Sequence, residues 1–166
     1  VGSACDKDYE TVSLSAYFAA ACSEVACNYP GNGWIINADD NDTMYIEIGD
    51  YNLQHIGFED FQLQYKPTGT SGWTTVQFFT NDPLKEGEPN TTYINSAPTV
   101  KYYWDMKSLA DRSYDIRLVS HCSDGSVNYS EILTGILDGQ RPQVFGTPQP
   151  ADGILEIDDD IKIQFN

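Results

Sequence analysis

The chain has 166 residues, of which 40% are hydrophobic and 13% aromatic, enough for one packed domain with fragments to spare. Twenty-five acidic residues against nine basic ones give a formal net charge of −16, which sets the chain against phosphate backbones and anionic membrane surfaces. No apolar run approaches the ~18 residues of a membrane span, so neither nucleic acid nor direct membrane insertion is expected.

In chain order, residues 1–21 carry one alternating stretch: Val12, Leu14, Ala16 and Phe18 against Ser13, Ser15 and Tyr17. This is a strand pattern. It reads as an N-terminal strand or as the tail of a preceding module. Glu24 to Tyr29 is a second short strand candidate, closed by the turn Pro30-Gly31-Asn32-Gly33. Trp34-Ile35-Ile36 leads into the polar loop Asn37–Asp42. Met44, Ile46 and Ile48 then alternate with Tyr45 and Glu47, and Phe61, Leu63 and Tyr65 with Gln62, Gln64 and Lys66. The turn Pro67–Gly72 joins the latter strand to Trp73–Thr80 as a hairpin.

Asn81–Thr92 reads as a long polar loop. Val100, Tyr102, Trp104 and Met106 share a face of the next strand, which marks Trp104 as core. Tyr114, Ile116, Leu118 and Cys122 line the following one. Ser123–Ser126 closes a hairpin into Tyr129–Leu137. Period-2 segments with a turn on each side predict about seven strands between residues 22 and 138, the spacing of an all-β, antiparallel sandwich. Asp138–Pro142 breaks the last strand. Residues 139–166 then read as a linker and the first strands of a second β-domain, ending on Ile161, Ile163 and Phe165 in alternation. A chain that stops on opening strands is expected to be a piece of a longer one.

Four cysteines (Cys5, Cys22, Cys27 and Cys122) allow three pairings. None lies in a Cys-x-x-Cys spacing, and His55 and His121 stand in no zinc-like spacing with them. Two disulfides and an oxidising location are expected.

The stretch Leu109–Glu131, LADRSYDIRLVSHCSDGSVNYSE, resembles a fibronectin type III domain near its penultimate strand. Leu109, Tyr114, Ile116, Leu118, Gly125 and Ser130 carry the likeness, with Tyr114 as a tyrosine corner whose hydroxyl bonds backbone a few residues upstream. FQLQYKPTGTSGW, YYWDMKSLADRSYDIRLVSHC and DGQRPQVFGTPQPADG together resemble a recurring module of very large secreted bacterial surface proteins, adhesins exported by type IX-type pathways. The resemblance implies a fibronectin III-like sandwich over 22–138 and an immunoglobulin-like domain opening after it. It also implies a Cys22–Cys122 disulfide, with Cys5–Cys27 following by elimination.

For chemistry, no Gly-x-Ser-x-Gly nucleophile elbow is present. Carboxylate pairs are unavoidable among 25 acids and single out no glycosidase centre. No catalysis is expected. Calcium is the candidate small ligand, either at Asp39, Asp40 and Asp42 or at Asp158, Asp159 and Asp160 before the next module. Clustered carboxylates in flexible loops suit the ion, although solvated turns are the plainer reading. No other cofactor is indicated. Trp73, after a glycine turn, is the candidate for stacking on a glycan. Asn41, Asn90 and Asn128 begin Asn-x-Ser/Thr sequons.

The expected function is a structural or adhesive module of a large extracellular or cell-surface protein, a spacer or fibre-forming segment. Its partners would be neighbouring modules of the same chain, with a homo-oligomer or fibre open. The alternative is a carbohydrate-binding or calcium-dependent ligand-binding module attached to a secreted enzyme. Two or more aromatics exposed in a row on one sheet would favour that alternative.

Overall fold

A computed structural model describes residues 22–37 and 42–140. Ten strands make up almost all the regular structure: β1 (Ala26–Tyr29), β2 (Trp34–Asn37), β3 (Thr43–Gly49), β4 (Phe58–Pro67), β5 (Thr74–Thr80), β6 (Thr91–Tyr93), β7 (Val100–Asp105), β8 (Arg112–Cys122), β9 (Val127–Tyr129) and β10 (Leu133–Asp138). A 3-10 turn, Pro83–Lys85, lies between β5 and β6 and is capped by the Asp82 carboxylate.

The strands form two sheets. The small one has the order β1-β3-β7. The large one has the order β2-β10-β8-β4-β5-β6, and β9 pairs with the far half of β8. The alternation read from the sequence is what fills the space between them. Met44, Ile46 and Ile48 of β3 and Val100 and Trp104 of β7 face Phe61, Leu63, Phe79, Ile116 and Leu118 of the large sheet, all buried. Phe61 stacks on Phe79 with ring centroids 4.9 Å apart. Two layers of alternating strands around one core make the domain a β-sandwich of the fibronectin III/immunoglobulin-like kind.

The Tyr114 hydroxyl donates to the Ala110 carbonyl at 2.8 Å, the upstream backbone bond of a tyrosine corner. Leu109 is half-buried against the core. Gly125 adopts φ of 82° in the β8–β9 hairpin, a conformation side-chain-bearing residues avoid.

Several details depart from the strand pattern. Ten strands replace about seven, because the first edge is split in two (β1 and β2) around the Pro30–Gly33 turn and the last strand is broken between Tyr129 and Leu133. The loop Asn81–Thr92 contains the start of β6. Two pairings, β2 with β10 and β5 with β6, are parallel within the otherwise antiparallel sheets. At the β2–β10 contact Gly135 lies directly against Trp34, and a Cβ there would run into the indole ring and the Trp34 carbonyl.

Cys22 and Cys122 are joined by a disulfide across 100 positions of sequence, with their Cα atoms 5.7 Å apart. The expected partner of Cys27, Cys5, lies outside the described residues. Cys27 carries a free thiol, and its Sγ donates to the Tyr29 carbonyl at 3.1 Å. Burial pushes this thiol up to about 11, against the weaker opposing effect of that bond. Cys5, the strand pattern of 1–21 and the second domain expected over 139–166 lie outside the described residues, apart from Gly139 and Gln140. Among the described residues no helix is long and apolar enough to cross a membrane.

Candidate functional site

The two ends of β8 define two poles of the domain. The chain enters at Cys22, bonded to the last residue of β8. Ser23 beside it is buried, its carbonyl accepting from the Ser120 hydroxyl and its own hydroxyl accepting from the Asn52 N–H at 2.7 Å. Asn128 Nδ2 donates to the Cys22 carbonyl at 3.1 Å. The chain leaves after β10, whose Leu137 is paired with Arg112 at the first residue of β8. Beyond it, the Gly139 N–H donates to the Asp111 carboxylate at 2.9 Å.

At the entry pole His55 approaches the bridge, its Nδ1 3.7 Å from Cys122 Sγ. Cys22, His55 and Cys122 are the one trio of metal-ligating side chains brought together among the described residues. The two sulfurs are bonded to each other, so neither is available as a thiolate ligand. His121 is on the outer face of β8, paired with Asp60 at 2.9 Å.

Of the calcium candidates, Asp39, Asp40, Asp158, Asp159 and Asp160 lie outside the described residues. Asp42 is at the exit pole with φ of 50°, and its carbonyl accepts from the Met106 N–H at 2.8 Å. Its Oδ1 is buried without a hydrogen-bond partner.

Of the tryptophans, Trp34 and Trp104 are buried. Trp73 is half-buried, and its ring already carries a cation. Arg117 Cζ lies 4.1 Å from the Trp73 centroid and Lys66 Nζ lies 5.0 Å from it. Arg117 also covers Tyr129, at 4.7 Å, while donating twice to Gln64 Oε1, at 3.0 and 2.9 Å. Further along the same face, Asp115 is buried and accepts from Thr134 and Thr68 at 2.8 and 2.9 Å, with Lys66 3.4 Å away. Desolvation alone would raise this carboxyl. The hydrogen bonds from Thr134, Thr68 and Lys66 together outweigh it and hold Asp115 below the usual carboxylate range.

The outer face of the small sheet is different. Tyr29, Tyr45 and Tyr103 form a row across β1, β3 and β7, with centroid spacings of 5.5 and 5.2 Å. Tyr45 and Tyr103 are direct cross-strand partners. Tyr29 is 54% exposed and Tyr103 is 67% exposed. Tyr45 donates to Glu47 Oε2 at 2.9 Å; desolvation, and then the adjoining carboxylate, push its phenol up to about 12. Beside the row a groove of about 330 Å³ runs between the Pro30–Gly33 turn and β3, lined by Tyr29 and Tyr45 among others. The sequence did carry a sign of this row. Tyr45 and Tyr103 occupy the outward parity of strands whose inward parity is already apolar.

Comparison with known proteins finds no matching family model and no matching curated protein. Among solved structures the chain is similar to an endo-β-1,4-mannanase from Thermotoga petrophila, at 13% identity and a TM-score of 0.45, over 71% of this chain and 20% of that one. It thus spans about a fifth of the mannanase's length. It is also similar to fibronectin(III)-like modules of Clostridium thermocellum CbhA, at 15% identity and a TM-score of 0.42, over 71% of this chain and 99% of that one. A bacterial immunoglobulin-like domain from the M. primoryensis ice-binding adhesin matches at 17% identity and a TM-score of 0.33, over 72% and 99% of the two chains.

Proposed function

We propose that residues 22–138 are a non-catalytic structural module of a larger extracellular or cell-surface protein, held in line with neighbours on either side. The observation that carries this reading is the placement of the two chain ends. Entry at Cys22 adjoins the last residue of β8, and exit after Leu137 adjoins the first. β8 has 11 residues, so the two ends are separated by roughly 35 Å of extended strand. A domain entered at one pole and left at the other transmits tension along its length, as a spacer must. The disulfide supports an oxidising, extracellular location. The net charge of −16 supports solubility in a crowded surface array.

The test is the mass of the parent polypeptide in its native source, by denaturing gel and peptide mapping. A chain several modules long containing this segment is expected. A mature product near 18.5 kDa would overturn the reading. A second reading, a ligand-binding module, is favoured by one observation: the row of tyrosines on the outer face of the small sheet, exposed at Tyr29 and Tyr103.

A further inference from the structure

We propose that the tyrosine row of the small sheet is a binding platform for a neutral polysaccharide chain. The inference is independent of the spacer reading, because a module can bear load and bind at the same time.

Three rings in contact across three strands make one continuous aromatic strip, and its two outer members are more than half exposed. The strip belongs to the small sheet's outward face and contributes nothing to the core. On the large sheet the outward aromatics Trp73 and Tyr129 are both capped by Arg117. Among the described residues no cation lies over Tyr29, Tyr45 or Tyr103, and the outer two rings are exposed.

The surroundings suit sugar chemistry. Apolar C–H faces of a sugar ring can lie against aromatic rings, while its hydroxyls need both donors and acceptors. Glu47 accepts from Tyr45 with one oxygen and keeps further lone pairs, and Lys101, directly across from Glu47, is an exposed donor. The groove beside Tyr29 and Tyr45 extends the strip in the direction of the Pro30–Gly33 turn. An open strip leading into a shallow groove fits an extended polymer better than a compact molecule, which would need an enclosed pocket.

Charge selects among polymers. At a net −16 the chain repels polyanions, including sulfated or uronic-acid-rich polysaccharides. Face-to-face docking of a second copy would bring two such charges together. An uncharged glycan meets neither penalty.

The test is native affinity electrophoresis of the 166-residue chain through gels containing mixed-linkage β-glucan, glucomannan or arabinoxylan, with dextran sulfate as the anionic control. At least one neutral polymer should retard the protein, and dextran sulfate should not. Tyr103→Ala and Tyr29→Ala should each weaken the retardation by about tenfold, as removal of an exposed aromatic anchor does. Tyr103→Phe keeps the ring and should keep the retardation. Ile136→Ala on the large sheet should leave it unchanged. Migration unaffected by all three neutral polymers, equal retardation by dextran sulfate, or retardation that survives Tyr103→Ala together with Tyr29→Ala would overturn the proposal.

Discussion

The two poles of the sandwich are built from different materials. At the entry pole a covalent bond joins Cys22 to Cys122, and buried hydrogen bonds around Ser23 surround it. At the exit pole there is no covalent link among the described residues. Close packing of Gly135 on Trp34, the Asp115 network and the Tyr114 corner hold β10 and the start of β8 in place. The contrast teaches where the domain should yield. Strain applied to its ends is met by a bond at one pole and by many weak, mutually dependent contacts at the other.

The largest effect should come from cutting the entry pole. Replacing both cysteines, Cys22→Ser with Cys122→Ser, opens a link that spans 100 positions and should cost about 4 kcal/mol, read from denaturant melts. Loss of under 1 kcal/mol would mean the pole is held by its hydrogen bonds alone.

At the exit pole Gly135→Ala should cost about 3 kcal/mol, because the added methyl overlaps the indole and backbone of Trp34. An unchanged melting curve would show that β2 is free to move off β10, against the close packing described.

Asp115→Asn should cost about 2 kcal/mol at neutral pH, since a buried carboxylate with three donors is replaced by a group that satisfies them less well. The sign of its pH dependence follows from the lowered folded pKa. The stability the carboxylate contributes is complete above the unfolded value of about 4 and is lost as pH falls through the folded value. The parent and the variant should therefore converge in acid. A gap that stays constant from pH 7 to pH 2 would contradict the assignment.

The smallest effect is Tyr114→Phe, which removes one hydrogen bond to Ala110 and should cost about 1 kcal/mol.

Much of this was legible in the sequence, for a physical reason. Strands β3, β4 and β7 bury one face each, so Met44, Ile46, Phe61, Leu63 and Trp104 had to alternate with neighbours of the outward parity, and Ile116 and Leu118 of β8 keep the same spacing although Asp115 and Val119 on its other face are buried as well. The tyrosine corner was legible because one residue type does that job at one spacing from the strand. What escaped was held by backbone or by geometry across the chain. β6 is three residues paired in parallel with β5, and backbone pairing leaves no pattern in Thr91, Thr92 and Tyr93. The break between β9 and β10 rests on the Ser130 hydroxyl taking the Leu118 N–H at 2.8 Å, a substitution no periodicity reveals. Elimination could not place Cys27, since a cysteine count does not say which way a thiol points. The tyrosine row joins three strands that are far apart in sequence, so no single stretch displays it, while Trp73, the aromatic a single stretch does display, is covered by Arg117.

The contrast between the poles is tested most directly by pulling the folded module from its two ends and recording the length gained on unfolding. With the disulfide intact, only the segment after Cys122 can extend, so the gain should be well under about 100 Å. After reduction the whole of 22–138 is free, and the gain should rise to roughly 350 Å. The same long extension with and without reductant would contradict the account, because the entry pole would then not be locked.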